Sequence, residues 1–249
     1  EIGSGLVGSE MCIRDSSSCN DSFLEKTPVT DLTENNAFNS YDNFKAFMWP
    51  CYEMFTNNTI RTSLQGFGQD GQYKGDMAAG YFQQKYESGY NEFAYQTVAS
   101  VASGNGWDFK SFIRRVNIML SHIDNSSMTE AQKDHWRAVG YFFHSFWYME
   151  LIDRFGDVPW VDQVLQEDSP EAYGPRVDRK TVADKVLERL QWAEQNIGNF
   201  TSQDGDNTIN QDCVRAVISR FGLREGTWRK YHELGDACLL YTSDAADEL

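Results

Sequence analysis

Any chemistry in this 249-residue chain would have to come from four histidines, five cysteines and a surplus of carboxylates. His122, His135, His144 and His232 share no H-E-x-x-H or other metal-ligand spacing, and His144 lies in an aromatic run where a core histidine is expected. The glycines at 66, 68 and 71 resemble a phosphate loop only superficially. No strand precedes them and no Gly-Lys-Ser/Thr follows, so an ordinary loop is expected. A G-x-S-x-G nucleophile elbow is also lacking. Carboxylate pairs abound in any acidic chain, and their separation, which decides glycosidase chemistry, is not written in sequence. Cys51 and Cys213 could pair in an oxidising compartment. Both fall on apolar helix faces, however, where buried free thiols are the expectation. Arg154 and Asp157 read as residues of a helix exit rather than a functional ion pair. The reading is therefore a protein without catalytic residues, metal or cofactor.

Composition agrees with a packed, acidic domain. The chain carries 7 Trp, 12 Tyr and 16 Phe, enough to bury a core. A formal charge of -15 argues against nucleic acid, which needs basic stripes, and against anionic lipid headgroups. No apolar run approaches the ~20 residues of a membrane-spanning helix.

The two ends read as foreign. Residues 6–16 (LVGSEMCIRDS) and 238–248 (CLLYTSDAADE) resemble translated sequencing adapters. Residues 10–16 can be encoded so that the reverse complement, read one frame over, gives CLLYTS, the peptide at 238–243. An inverted repeat at opposite ends is what a transposase-cut library fragment leaves. Residues 1–16 and 238–249 are therefore set apart from fold reasoning. Without them the charge is about -10, still acidic.

The elements between follow from spacing. Residues 17–36 are polar and aperiodic and read as a tether. Phe44, Phe47, Met48, Cys51, Tyr52 and Phe55 recur at 3- and 4-residue steps, one helix face, with Pro50 placed to kink or shorten it. Residues 57–107 are rich in Gly, Asn and Gln and suggest loops with short helices. A stripe from Phe109 through Phe112, Ile113, Val116, Met119 and Leu120 to Ile123 predicts the next helix. Ser127 and Glu130 have capping-box spacing ahead of a helix expected over about 129–154, apolar nearly all round in its middle. Gly156 and Pro159 should end it. Further helices are predicted over about 178–197 and 211–231, joined by a polar connection. The predicted fold class is all-α, with paired helices over 37–237.

At residues 136–159 the pattern becomes specific. Arg137 and Ala138 open an aromatic helix that exits through Leu151, Phe155, Gly156, Asp157, Val158 and Pro159. Upstream, Ile113, Arg114 and Asn117 form an Ile-Arg-x-x-Asn helix. Downstream, Glu225 to His232 reads Glu-Gly-Thr-Trp-Arg-Lys-Tyr-His, and Gly75-Asp76 adds a further pair. In this order the four motifs resemble the SusD/RagB family of nutrient-uptake outer-membrane lipoproteins, over nearly all of 17–236. Members are roughly twice this length, so the resemblance implies that the C-terminal half is absent.

The resemblance implies helix pairs of tetratricopeptide type and a lipid at Cys19, preceded by small Ser17 and Ser18 and followed by a polar stretch. It also implies an oligosaccharide ligand, or in some members a peptide, and a SusC-type TonB-dependent transporter as partner at the outer membrane. Sugar rings stack their C–H faces on aromatic planes while Asn, Gln, Asp or Arg meet the hydroxyls. Trp136, Phe143, Phe146, Trp147 and Trp192 are expected in the core. The ligand candidates are Trp107, just ahead of the Ile-Arg-x-x-Asn helix, with Asn105, Tyr73 and Tyr81. Two other readings stay open, a helical scaffold that binds protein and a secreted glycoside hydrolase. Exposed Tyr73 and Trp107 would argue against the first, and a cleft without paired carboxylates against the second.

Overall fold

The computed structural model describes residues 38–55, 108–109, 111–205 and 207–234. The chain divides into Glu1–Ala37 and Phe38–Leu249, and every described residue lies in the second unit. Among the described residues it contains six α-helices: α1 (Tyr41–Met48), α2 (Phe112–His122), α3 (Glu130–Phe155), α4 (Arg179–Asn196), the single turn α5 (Thr201–Asp204) and α6 (Gln211–Tyr231). Among the described residues the extended pairing is one isolated bridge, Val158 with Val177. The architecture is all-α, as predicted.

Helix α3 is the axis of the core. It runs 26 residues and buries aromatics on several sides, including Trp136, Phe142, Phe143, Phe146, Trp147 and Tyr148. Helices α2 and α4 pack against it, and α6 packs against α4. Gly140 lets α2 come close, since a Cβ there would sit 2.5 Å from Met119 Cε. Val182, Val186, Leu190 and Ala193 turn inward from α4, as the spacing requires. Trp192 departs from its predicted core place. It is half-buried, edge-on to Tyr141 with the Arg137 guanidinium over its ring.

Local chemistry explains the element ends. Pro50 ends α1 as an α-helix, and the apolar face continues through a 3-10 segment, Trp49–Phe55, which still buries Cys51 and Met54. The capping box exists but starts two residues later than the predicted Ser127. Thr129 caps α3 and exchanges hydrogen bonds with Gln132. Ser127 is taken instead by Asn39, whose carbonyl accepts from both its N–H and its hydroxyl. Gly156 stops α3 with φ +69°, a conformation that favours glycine. The connection 198–210 contains the turn α5, which periodicity did not reveal.

Candidate functional site

The sequence-chosen ligand candidates Tyr73, Tyr81, Asn105 and Trp107, and the lipid candidate Cys19, lie outside the described residues. Within the described residues the motifs can be followed to their contacts. Asn117 is buried, and its amide donates to the carbonyls of Val161 (3.1 Å) and Gln163 (3.0 Å). Arg114 donates to Leu165 O and Arg115 to Phe47 O. The Gly-Asp-Val-Pro exit is held in the same manner. Tyr148 donates to Pro159 O and accepts from Val161 N–H, while the buried His144 uses Nε2 on Val161 O at 2.9 Å. Asp157 accepts from the backbone N–H of Arg179, and Val158 pairs with Val177. Burial holds His144 well below the ordinary histidine range, so it is a neutral core residue. Arg154, at the same exit, is also pulled down by burial.

The Glu-Gly-Thr-Trp-Arg-Lys-Tyr-His helix end builds an ionic knot. Glu225, 1% exposed, accepts from Arg229 Nε at 2.8 Å and from Arg179 Nη1 at 2.6 Å. Arg229, 2% exposed, also reaches Asp184 at 2.6 Å. Asp153 pairs with Arg224 and lies 3.8 Å from Arg179. Three helices, α3, α4 and α6, are thus tied by charges whose desolvation is repaid by short, multiple hydrogen bonds. Sequence reasoning missed this knot. Its one local signal is that Glu225 and Arg229 extend the buried row Val214, Ile218 and Phe221 at 3- and 4-residue steps. A second buried carboxylate, Asp204 of α5, accepts from Tyr41 at 2.5 Å and lies 3.6 Å from His135 Nε2 and 3.4 Å from Lys45. Burial, then Asp204, raises the Tyr41 phenol, while burial lowers His135 despite that carboxylate. Both clusters fasten helices. Cys51 is a buried free thiol pushed up to about 12 by burial, and Cys213 is free and half-buried.

A cleft of about 520 Å³ lies on the outward side of α6, lined by Arg220, Leu223, Arg224, Thr227, Trp228, Tyr231 and His232. Among the described residues no carboxylate lines it. Its polar groups are largely spent elsewhere. Arg224 faces Asp153 and the Met149 carbonyl, and the Thr227 hydroxyl donates to Leu223 O. Trp228 stacks on His232 at 4.0 Å and carries Arg179 over its ring at 4.4 Å. Among the described residues no group of three His, Cys, Asp or Glu is placed to hold a metal ion, and no helix is long and apolar enough to cross a membrane.

Residues 22–223 match the model of a SusD-like family described as starch-binding and associating with the outer membrane. The chain belongs to the SusD-like family. A search of curated proteins gave no significant match. Solved structures sharing the fold include a SusD-like protein from Bacteroides fragilis, 18% identical with TM-score 0.55 over 82% of this chain and 39% of that one. A laminarin-binding SusD-like protein is 18% identical, with TM-score 0.55 over 76% and 41% of the two chains. B. fragilis NanU is 15% identical, with TM-score 0.56 over 88% and 43%. This SusD-like chain therefore spans about two fifths of the length of these structures. The contacts give the motifs a physical meaning: Asn117, Val158, Glu225 and Arg229 hold the helices and the exit loop in place.

Proposed function

We propose that the full-length protein is a glycan-binding lipoprotein of the outer membrane that captures oligosaccharides for import through a SusC-type TonB-dependent transporter. What supports this reading is the family match over 22–223, whose description joins starch binding to the outer membrane. The mechanism is capture without bond breaking. Aromatic faces take up the sugar ring and amide or hydroxyl groups select its orientation. Trp107 is the leading ring platform, with Asn105, Tyr73 and Tyr81 around it. Cys19 carries the lipid by thioether linkage, and several acyl chains at ~0.8 kcal/mol per buried CH₂ hold the protein firmly at the surface. Residues 1–16 and 238–249 are adapter-derived and take no part.

The test is isothermal calorimetry of the full-length protein against a panel of oligosaccharides, with chromatography of the recovered ligand. Saturable binding, ligand returned intact and a loss of at least tenfold in affinity for Trp107→Ala are expected. Release of new reducing ends would overturn the non-catalytic reading. Unchanged affinity in the Trp107 variant would remove that residue from the site.

A further inference from the structure

The carboxylate of Asp204, at the end of α5, joins three separate pieces of the chain. Its side chain is 5% exposed. From α1, Tyr41 donates to Oδ2 at 2.5 Å and Lys45 Nζ lies 3.4 Å from Oδ1. From α3, the buried His135 brings Nε2 to 3.6 Å from Oδ2. Tyr41, Trp136 and Phe200 close in the His135 ring, and its Nδ1 lies 3.1 Å from Gly198 O. Around this centre Lys45 also donates to Gln203 O, and Tyr52, just after α1, accepts from Ile209 N–H. The start of the described chain is thus held to the connection after α4 by polar groups gathered on one buried carboxylate.

Charge decides when this arrangement holds. Burial keeps His135 below the ordinary histidine range, so its ring is uncharged at neutral pH, and Asp204 and Lys45 cancel. The other ionisable groups facing the cluster do not alter that balance. Tyr41 and Tyr52 are phenols raised by burial and stay neutral, while Asp42 is exposed and faces Gln203. A proton added at either His135 or Asp204 therefore leaves one positive charge in excess, where water is excluded and an uncompensated charge is costly. Separation of the pieces lets water reach His135, which then takes up the proton freely. We propose that the Asp204–His135 cluster is an acid-released latch, which holds α1 to α5 at neutral pH and lets them part in mildly acidic solution.

The latch is tested by hydrogen–deuterium exchange of the full-length protein at pH 7.5 and 5.5, corrected for the intrinsic exchange rate at each pH. One proton taken up by an opened histidine of ordinary pKa shifts the opening equilibrium by about tenfold between these values. Peptides from 41–55 and 198–204 should lose about that much protection. At pH 5.5 they should also exchange faster than α4, which opens with the whole domain. The loss should vanish in His135→Gln and persist in His144→Gln, and Asp204→Asn should expose the same peptides at both pH values. Equal protection of the unmodified protein at the two pH values would overturn the proposal. So would exchange of 41–55 at the rate of α4, which means global unfolding alone, or an undiminished acid response in His135→Gln. The readout involves no glycan, so this inference and the proposed binding function fail independently.

Discussion

Replacing Glu225 with Ala removes the carboxylate at the centre of the α3–α4–α6 knot. Arg229 and Arg179, 2% and 12% exposed, each lose a hydrogen-bond partner at 2.8 and 2.6 Å. Removing one partner of a buried pair costs about 3 to 5 kcal/mol, chiefly because a charge is left desolvated. Here the cost falls at the lower end. Arg229 keeps Asp184, which is 48% exposed, and Arg179 keeps Asp153 at 3.8 Å. A loss of about 3 kcal/mol is therefore expected. With a urea slope of ~2 to 3 kcal/mol/M, the midpoint followed by circular dichroism falls by about 1 M. A double-mutant cycle with Arg229→Ala isolates the coupling. The double variant should be more stable than the sum of the single losses predicts by about 1.5 kcal/mol or more. The control is Glu194→Ala, which removes the half-exposed pair with Arg215 and should cost no more than about 1 kcal/mol. A Glu225→Ala loss below about 1 kcal/mol, or additivity within about 0.5 kcal/mol, would refute the reasoning.

Three further outcomes follow from the packing. Because burial lowers the folded-state pKa of His144, the unfolded chain binds the extra proton; stability is retained above pH 6.5 and lost as pH falls below it. His144→Gln should remove about 1.4 kcal/mol of the difference in unfolding free energy between pH 7.5 and 5.5, and an unchanged difference would show that His144 does not supply it. Gly140→Val forces two methyl groups against Met119 and Leu120 and should cost about 1 to 3 kcal/mol by thermal denaturation; a neutral result would mean that the Met119 and Leu120 side chains swing aside freely. Thr129→Ala should cost about 1 kcal/mol and Ser127→Ala less at the α3 start, so the reverse order in urea melts would place the cap at Ser127.

The helices were legible because their signals are local. An apolar side chain every three or four residues and Gly156 at an exit both act within one or two turns. The cap of α3 marks the limit of that reading. Ser127 and Thr129 are both good caps, and the choice fell to Thr129 while Ser127 bonds Asn39, 88 residues away in sequence. Trp192 shows the same limit. Its spacing suits a core residue, but the space beside it is filled by Arg137 and Tyr141, which leaves it half-buried. For the ligand site, the motifs led to the family and to Trp107, which lies outside the described residues.

By itself the sequence determined the all-α class, the helix order and the SusD-like kinship, because periodicity, caps and motif order depend on neighbours along the chain. Only the tertiary structure decided what the motif residues do. Glu225 meets Arg179 across 46 positions, and Asn117 meets Val161 across 44. Such partners are chosen by which helix faces share one core, where an unpaired charge or amide is costly and a paired one holds the helices together.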